Sequence, residues 1–191
     1  MRIAVLNEVS ACEKNADIVN ALSGRNHEIL NLGMRCAEDH PTLTYLHTGF
    51  LTGYLLNEGK ADFVVGGCGT GLGFMMSAMM YPGVFCGLIQ EPLDAWLFAQ
   101  INAGNSVSLS LNKGYGWGGV ENLKMIFDAL FSVTWGIGYP SHRRESQADS
   151  RARLAQISAA VHRPMNEIMM RIDQAVVKES LEFLMLRDEG I

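Results

Sequence analysis

Short apolar runs rich in Val, Ile and Leu recur along the chain, and each is followed by a longer segment with apolar residues at helical spacing. That alternation restricts the architecture more than any other feature, because strand, helix and strand in succession build a parallel sheet covered by helices. The candidate strands are residues 2–6, 28–32, 63–65, 84–88 and 107–111, and the candidate helices are 14–22, 43–57, 74–80, 93–103 and 119–131. They predict an α/β, Rossmann-like three-layer fold with a five-stranded parallel sheet, whose functional atoms lie at the carboxyl ends of the strands.

From residue 141 the character changes. The run SHRRESQADSRARLAQI is polar and charged, and residues 157–172 and 175–186 again carry apolar side chains at helical spacing. The reading is a Rossmann-like sheet domain over 1–140 and a C-terminal helical extension over 141–191, an arm of two or three helices. The apolar face of that arm needs cover, from a partner subunit or from its own domain.

Charge removes several function classes. The net charge is -5 with no long run of Lys or Arg, so the chain has no electrostatic footprint for nucleic acid. MRIAVLNE reads as an immediate strand and not as a signal peptide, and no apolar stretch approaches membrane-spanning length, which predicts a cytoplasmic protein with no membrane partner. Cys12, Cys36, Cys68 and Cys86 lack CxxC spacing, so neither a zinc site nor a disulfide framework is expected.

Fourteen of the 20 glycines fall between Gly66 and Gly138, and the densest cluster is Gly66-Gly67-Cys68-Gly69-Thr70-Gly71-Leu72-Gly73, between an apolar strand and a helix. Such a loop lets backbone N–H groups converge at a helix start, so an anion, formed or developing, is expected there. A dinucleotide fingerprint fits only in its first half, since its third glycine position falls on Phe74 and the loop follows the third strand. A phosphate-binding P-loop is excluded because no Gly-Lys-Ser/Thr follows. A tight turn alone accounts for two glycines but not for five in eight residues around a thiol and a hydroxyl. A cysteine at a strand end facing a helix start is placed to act as base or nucleophile.

The run GGCGTGLG, then Pro82-Gly83-Val84, then Asn102-Ala103-Gly104-Asn105-Ser106-Val107, resembles the ribose-5-phosphate isomerase B and galactose-6-phosphate isomerase family, most closely over residues 62–111. The resemblance implies an aldose–ketose isomerase of a phosphorylated sugar without metal or cofactor. It implies a homodimer or homotetramer with active sites shared between subunits. Cys68 would move a proton between C1 and C2 through an enediolate, Thr70 would handle the ring oxygen or a hydroxyl, and donors around Gly69, Gly71 and Gly73 would form the anion hole. Asn102 and Asn105 match the asparagines that contact substrate oxygens.

The match also breaks down in places. The family's ring-opening histidine corresponds to Ile101, and the Asp-His pair after the first strand is replaced by Asn7-Glu8-Val9. Another residue then opens the ring, or the substrate is never cyclic, as with a four-carbon sugar phosphate. Glu8 is placed to meet substrate hydroxyls or to cap the next helix. His47 is a site residue or a packed one, and Asp94 reads as a helix-start charge. His142, Arg143, Arg144, Arg151 and Arg153 form the dense basic cluster, with Arg143 and Arg144 the first choices for phosphate. Gly114 to Gly119, with Tyr115 and Trp117, is a substrate wall, a subunit contact or simple packing. The competing readings are a non-catalytic sugar-phosphate-binding or regulatory subunit, which retention of Cys68 and Thr70 argues against, and a nucleotide-binding oxidoreductase, which Phe74 disfavours.

Overall fold

A computed structural model describes residues 1–187. Five parallel strands, β1 (Arg2–Asn7), β2 (Glu28–Asn31), β3 (Phe63–Cys68), β4 (Cys86–Ile89) and β5 (Ser106–Ser110), form one sheet in the order β2-β1-β3-β5-β4. The chain leaves β1 toward β2 and then returns to the other side with β3, so the switch point falls between β1 and β3. A crevice outside the carboxyl ends of those two strands is where ligands bind in open sheets of this kind.

The central strands are buried on both faces, as their unbroken apolar runs require. On one face α1 (Asn15–Leu22), α4 (Pro92–Leu97) and α5 (Gly119–Phe131) pack over Ile3, Val5, Val65 and Val107. On the other, α2 (Tyr45–Asn57) and α3 (Leu72–Ala78) cover Ala4, Leu6 and Val64 through Phe50, Leu55 and Phe74.

Two expected boundaries move for physical reasons. Strand β3 runs on to Cys68 instead of ending at residue 65, because Gly66 and Gly67 stay in the ladder opposite Leu6, Asn7, Ser108 and Leu109. These two glycines therefore belong to the strand, and the loop proper begins at Gly69. Gly66 is glycine for a packing reason: a Cβ there would lie 1.9 Å from Cζ of Phe74, whose ring is fully buried against it. The helix expected over 93–103 ends at Leu97 and continues as a π turn, Phe98–Asn102, closed by Ala103 N–H donating to the Phe98 carbonyl at 2.8 Å, with Ala103 left-handed at φ 46°.

The arm behaves in two ways. Its last helix, α8 (Gln174–Arg187), folds back on its own domain, burying Val177, Phe183 and Leu184 in the core shared with α2. The short α7 (Met165–Arg171) adds Met165 to the same core. By contrast α6 (Arg144–Val161) buries only Ser158 and leaves Leu154, Ile157 and Val161 exposed.

Candidate active site

Three loops meet at the carboxyl ends of β1, β3 and β5. Gly71 caps α3 with φ 77°, and a Cβ there would lie 2.6 Å from Leu88 Cδ1, so the turn requires glycine on both counts. This turn leaves the Cys68 thiol, buried on the last residue of β3, 4.0 Å from Thr70 Oγ1. Leu72 N–H donates to Thr70 Oγ1 at 3.3 Å, while the N–H groups of Thr70 and Gly73 have no protein acceptor among the described residues. Gly73 faces the ring of Tyr45, the first residue of α2, with its missing Cβ 3.0 Å from that ring.

The loop after β1 is tied to this turn. The Glu8 carboxylate caps the following 3-10 turn, accepting from Ser10 N–H at 3.1 Å and from Ser10 Oγ. Ser10 Oγ in turn accepts from Gly69 N–H at 3.1 Å. Asn112, just past β5, donates from Nδ2 to the Ser10 carbonyl at 2.6 Å and from its N–H to the Gly69 carbonyl at 3.0 Å. Gly69 N–H, expected to face substrate, is thus occupied by Ser10. Sequence reasoning missed Ser10 and Asn112. Asn112 directly follows a predicted strand and Ser10 lies in the loop after another, which was the available signal.

Asn102 and the basic cluster lie elsewhere. Asn102, Ile101, Arg143, Gln147, Arg151 and Leu154 are among the residues lining an open cavity of about 720 Å³ that also touches Phe85 and Cys86 at the amino end of β4. Cys86 pairs with Ser106, at the opposite end of β5 from Ser110, the partner of Cys68. About 13 Å of strand separates the two ends. Arg143 is exposed, with Nε donating to Ser146 at 3.2 Å. Arg144 is exposed and is not among the residues lining the cavity. Arg151 donates to the carbonyls of Ile101 and Gly136, both at 2.8 Å, and so clamps the π turn that presents Asn102. Arg153 pairs with Asp149 on its own helix. Asn105 is turned to the backbone as well, accepting from Phe85 N–H at 2.9 Å and donating to the Gly83 carbonyl at 2.8 Å.

The other singled-out residues hold structure. His47 Nδ1 accepts from Thr44 N–H at 3.0 Å, completing a capping box for α2, and Nε2 bonds Glu179 of α8 at 3.0 Å. Asp94 accepts from Gln90 and Glu91 N–H at the start of α4. Tyr115 donates to Asp17 at 2.7 Å, and Trp117 is wholly exposed. Burial pushes the Cys86 thiol up to about 12, which leaves it inert beside the cavity. Among the described residues no group of three or more His, Cys, Asp or Glu side chains is arranged to hold a metal ion, and no helix is long and apolar enough to cross a membrane.

A family profile described as Ribose/Galactose Isomerase matches residues 3–147. No curated protein matches. Among solved structures, a ribose-5-phosphate isomerase of Vibrio parahaemolyticus is 41% identical with a TM-score of 0.93, covering 98% of this chain and 91% of that one. A 4-deoxy-L-threo-5-hexosulose-uronate ketol-isomerase, complexed with a tartrate, is 39% identical with a TM-score of 0.94 over the same shares of both chains. A ribose-5-phosphate isomerase B of Clostridium thermocellum, 19% identical with a TM-score of 0.71 over 85% of this chain and 100% of that one, shares the fold.

Proposed function

Because the chain belongs to the ribose/galactose isomerase family, we propose that it interconverts the aldose and ketose forms of a phosphorylated sugar, with Cys68 as the base. The observation that carries this reading is the position of the Cys68 thiol at the switch point of the sheet, next to Thr70 and to loop N–H groups without a protein acceptor. In its thiolate form Cys68 takes the proton from C2 of the open-chain aldose and returns it to C1. The negative charge that develops on the oxygens meets the N–H groups of Thr70 and Gly73. One such oriented donor contributes about 3 kcal/mol to stabilising the transition state.

The phosphate needs a cation, and Arg143, beside Asn102 in the cavity, supplies an exposed guanidinium fork suited to a dianion. Cys68 and Arg143 lie at opposite ends of the sheet within one chain, so one substrate meets both only when two copies associate as a homodimer or homotetramer with shared sites. Leu72, Met76, Met79 and Met80 around α3, with Leu154, Ile157 and Val161 of α6, offer an exposed apolar surface for that contact.

A second reading replaces the phosphate by a carboxylate. The relative at 39% identity is a ketol-isomerase of a hexosulose-uronate, and Ile101 lacks the ring-opening function that a cyclic sugar phosphate needs. A guanidinium binds either anion. The test is solvent deuterium incorporation and turnover over four-, five- and six-carbon sugar phosphates and 4-deoxy-L-threo-5-hexosulose-uronate, with the unmodified protein and Cys68→Ser. Cys68-dependent exchange with a sugar phosphate supports the first reading, and exchange confined to the uronate supports the second. No exchange with any of them indicates a non-catalytic binding subunit.

A further inference from the structure

Carbon-proton transfer by Cys68 is only half of an isomerisation. The aldose enediolate carries its hydroxyl proton on O2, and the ketose requires that proton on O1, so a second group must move a proton between oxygens. The structure contains a group fitted to this work that the reaction above leaves unused. Glu8 is only 4% exposed and has no cation within ion-pair distance among the described residues. Burying a carboxylate without a counter-charge is costly. Its hydrogen-bond donors are the N–H and hydroxyl of a single residue, Ser10. Ser10 itself is exposed, at the mouth of the crevice, and its Oγ accepts from the N–H of Gly69, the residue following Cys68.

On the isomerase reading, and resting on it, we infer that Ser10 and Glu8 form a proton relay that shuttles the hydroxyl proton between O2 and O1 of the enediolate. A serine hydroxyl has one donor and two acceptor positions. Here the donor points to Glu8 and one acceptor position holds Gly69 N–H, which leaves one acceptor position for a substrate hydroxyl. As O2–H passes its proton to Ser10 Oγ, Ser10 passes its own to the Glu8 carboxylate, and O2 becomes the carbonyl oxygen as C1 accepts the proton from the Cys68 thiol. The reverse transfer, Glu8 to Ser10 to O1, restores the relay. No electron or co-reactant is needed, since one proton leaves O2 and one reaches O1. Gly69 N–H steadies the charge on Oγ during transfer. Asn112, donating to the Ser10 carbonyl, is a positioning residue.

The relay separates two events that a purely structural tie would keep together. Deuterium exchange at the carbon needs Cys68 and the enediolate, whereas product formation needs the oxygen-proton transfer as well. The experiment measures both rates with ribose 5-phosphate and with 4-deoxy-L-threo-5-hexosulose-uronate in D₂O, for the unmodified protein, Ser10→Ala, Ser10→Thr and Glu8→Gln. General acid–base groups contribute about 10²- to 10⁴-fold, so Ser10→Ala and Glu8→Gln are expected to lower isomerisation by about 100-fold or more. Exchange into recovered substrate persists near the unmodified rate, and Ser10→Thr restores turnover. An equal fall of exchange and isomerisation in Ser10→Ala and Glu8→Gln overturns the relay and reduces Ser10 to a support for the Gly69 turn. Absence of Cys68-dependent exchange in the unmodified protein overturns the isomerase reading itself and the relay with it. Ser10 is exposed and Glu8→Gln keeps the shape of the cap, and a cooperative unfolding transition measured for each variant identifies those that enter the comparison.

Discussion

At the carboxyl end of the sheet, Glu8, Ser10, Gly69 and Asn112 are hydrogen-bonded to one another through three strand-end loops beside Cys68, and among the described residues no Arg or Lys head group pairs with the Glu8 carboxylate. At the amino end, Asn102, Arg143 and Arg151 border an open cavity whose polar groups mostly hold backbone carbonyls, and burial pushes the thiol of its Cys86 up to about 12. On the proposed reading the first region supplies the acid–base groups, with Glu8 unpaired among the described residues, and the second supplies the guanidinium of Arg143. On that reading, the contrast makes the working unit a pair of chains, with the carboxyl-end half of one facing the cationic half of the other.

The largest effect expected is at the carboxyl-end half. Cys68→Ala should lower turnover by about 10²- to 10⁴-fold with little change in KM, measured by steady-state kinetics on whichever substrate the unmodified protein accepts. Arg143→Ala should act on the other half and mainly raise KM, by about 10- to 100-fold, the equivalent of one charged hydrogen-bonding group. A rise in KM for neutral sugars as large as for anionic ones would break the division of labour. Co-refolding the two variants, with activity assayed at substrate concentrations far below the raised KM of Arg143→Ala, tests the pairing itself. Each mixed dimer contains one site with both native residues, and random assortment makes half the dimers mixed, so about a quarter of the sites should recover activity. No recovery would return both functions to one chain.

Smaller effects separate the halves by stability. Gly66→Ala forces a Cβ against the buried Phe74 ring and should cost about 1–3 kcal/mol of unfolding free energy, read by denaturant titration. Acid sensitivity should be traceable to Asp39, whose carboxylate bonds Arg187 of α8 and the N–H groups of Arg35 and Cys36. Burial pushes its carboxyl up, but those N–H groups and the Arg187 guanidinium outweigh it and hold the group below the usual carboxylate range. A depressed folded value means that the stabilisation is present above the unfolded value, about 4, and is lost as pH falls through the folded one. The thermal midpoint should therefore drop below about pH 4 in the unmodified protein and drop less in Asp39→Asn.

Much of this molecule is legible from neighbours along the chain. Helical and strand periods located all five strands and the helices of the sheet domain within a few residues, because burial of one face is written into local spacing. Cys68 and its glycine turn were equally visible, since the positive φ of Gly71 is a demand that only particular residues meet. The bounds of β3 and α4 were not. Whether Gly66 pairs in a ladder depends on Leu6 and Ser108, and the π turn depends on Arg151 reaching the Ile101 carbonyl.

The sequence by itself determined a parallel α/β sheet, its switch of character at residue 141 and a thiol at a strand end. Only the tertiary structure decided that Ser10 occupies Gly69 N–H, that Asn105 and Arg151 bind backbone, that α8 returns to its own domain while α6 stays exposed, and that Asn102 and Arg143 lie at the far end from Cys68. The reason is physical. Periodicity and backbone preference are properties of a few adjacent residues, whereas these contacts join residues tens of positions apart and follow from strand order, with β5 inserted between β3 and β4.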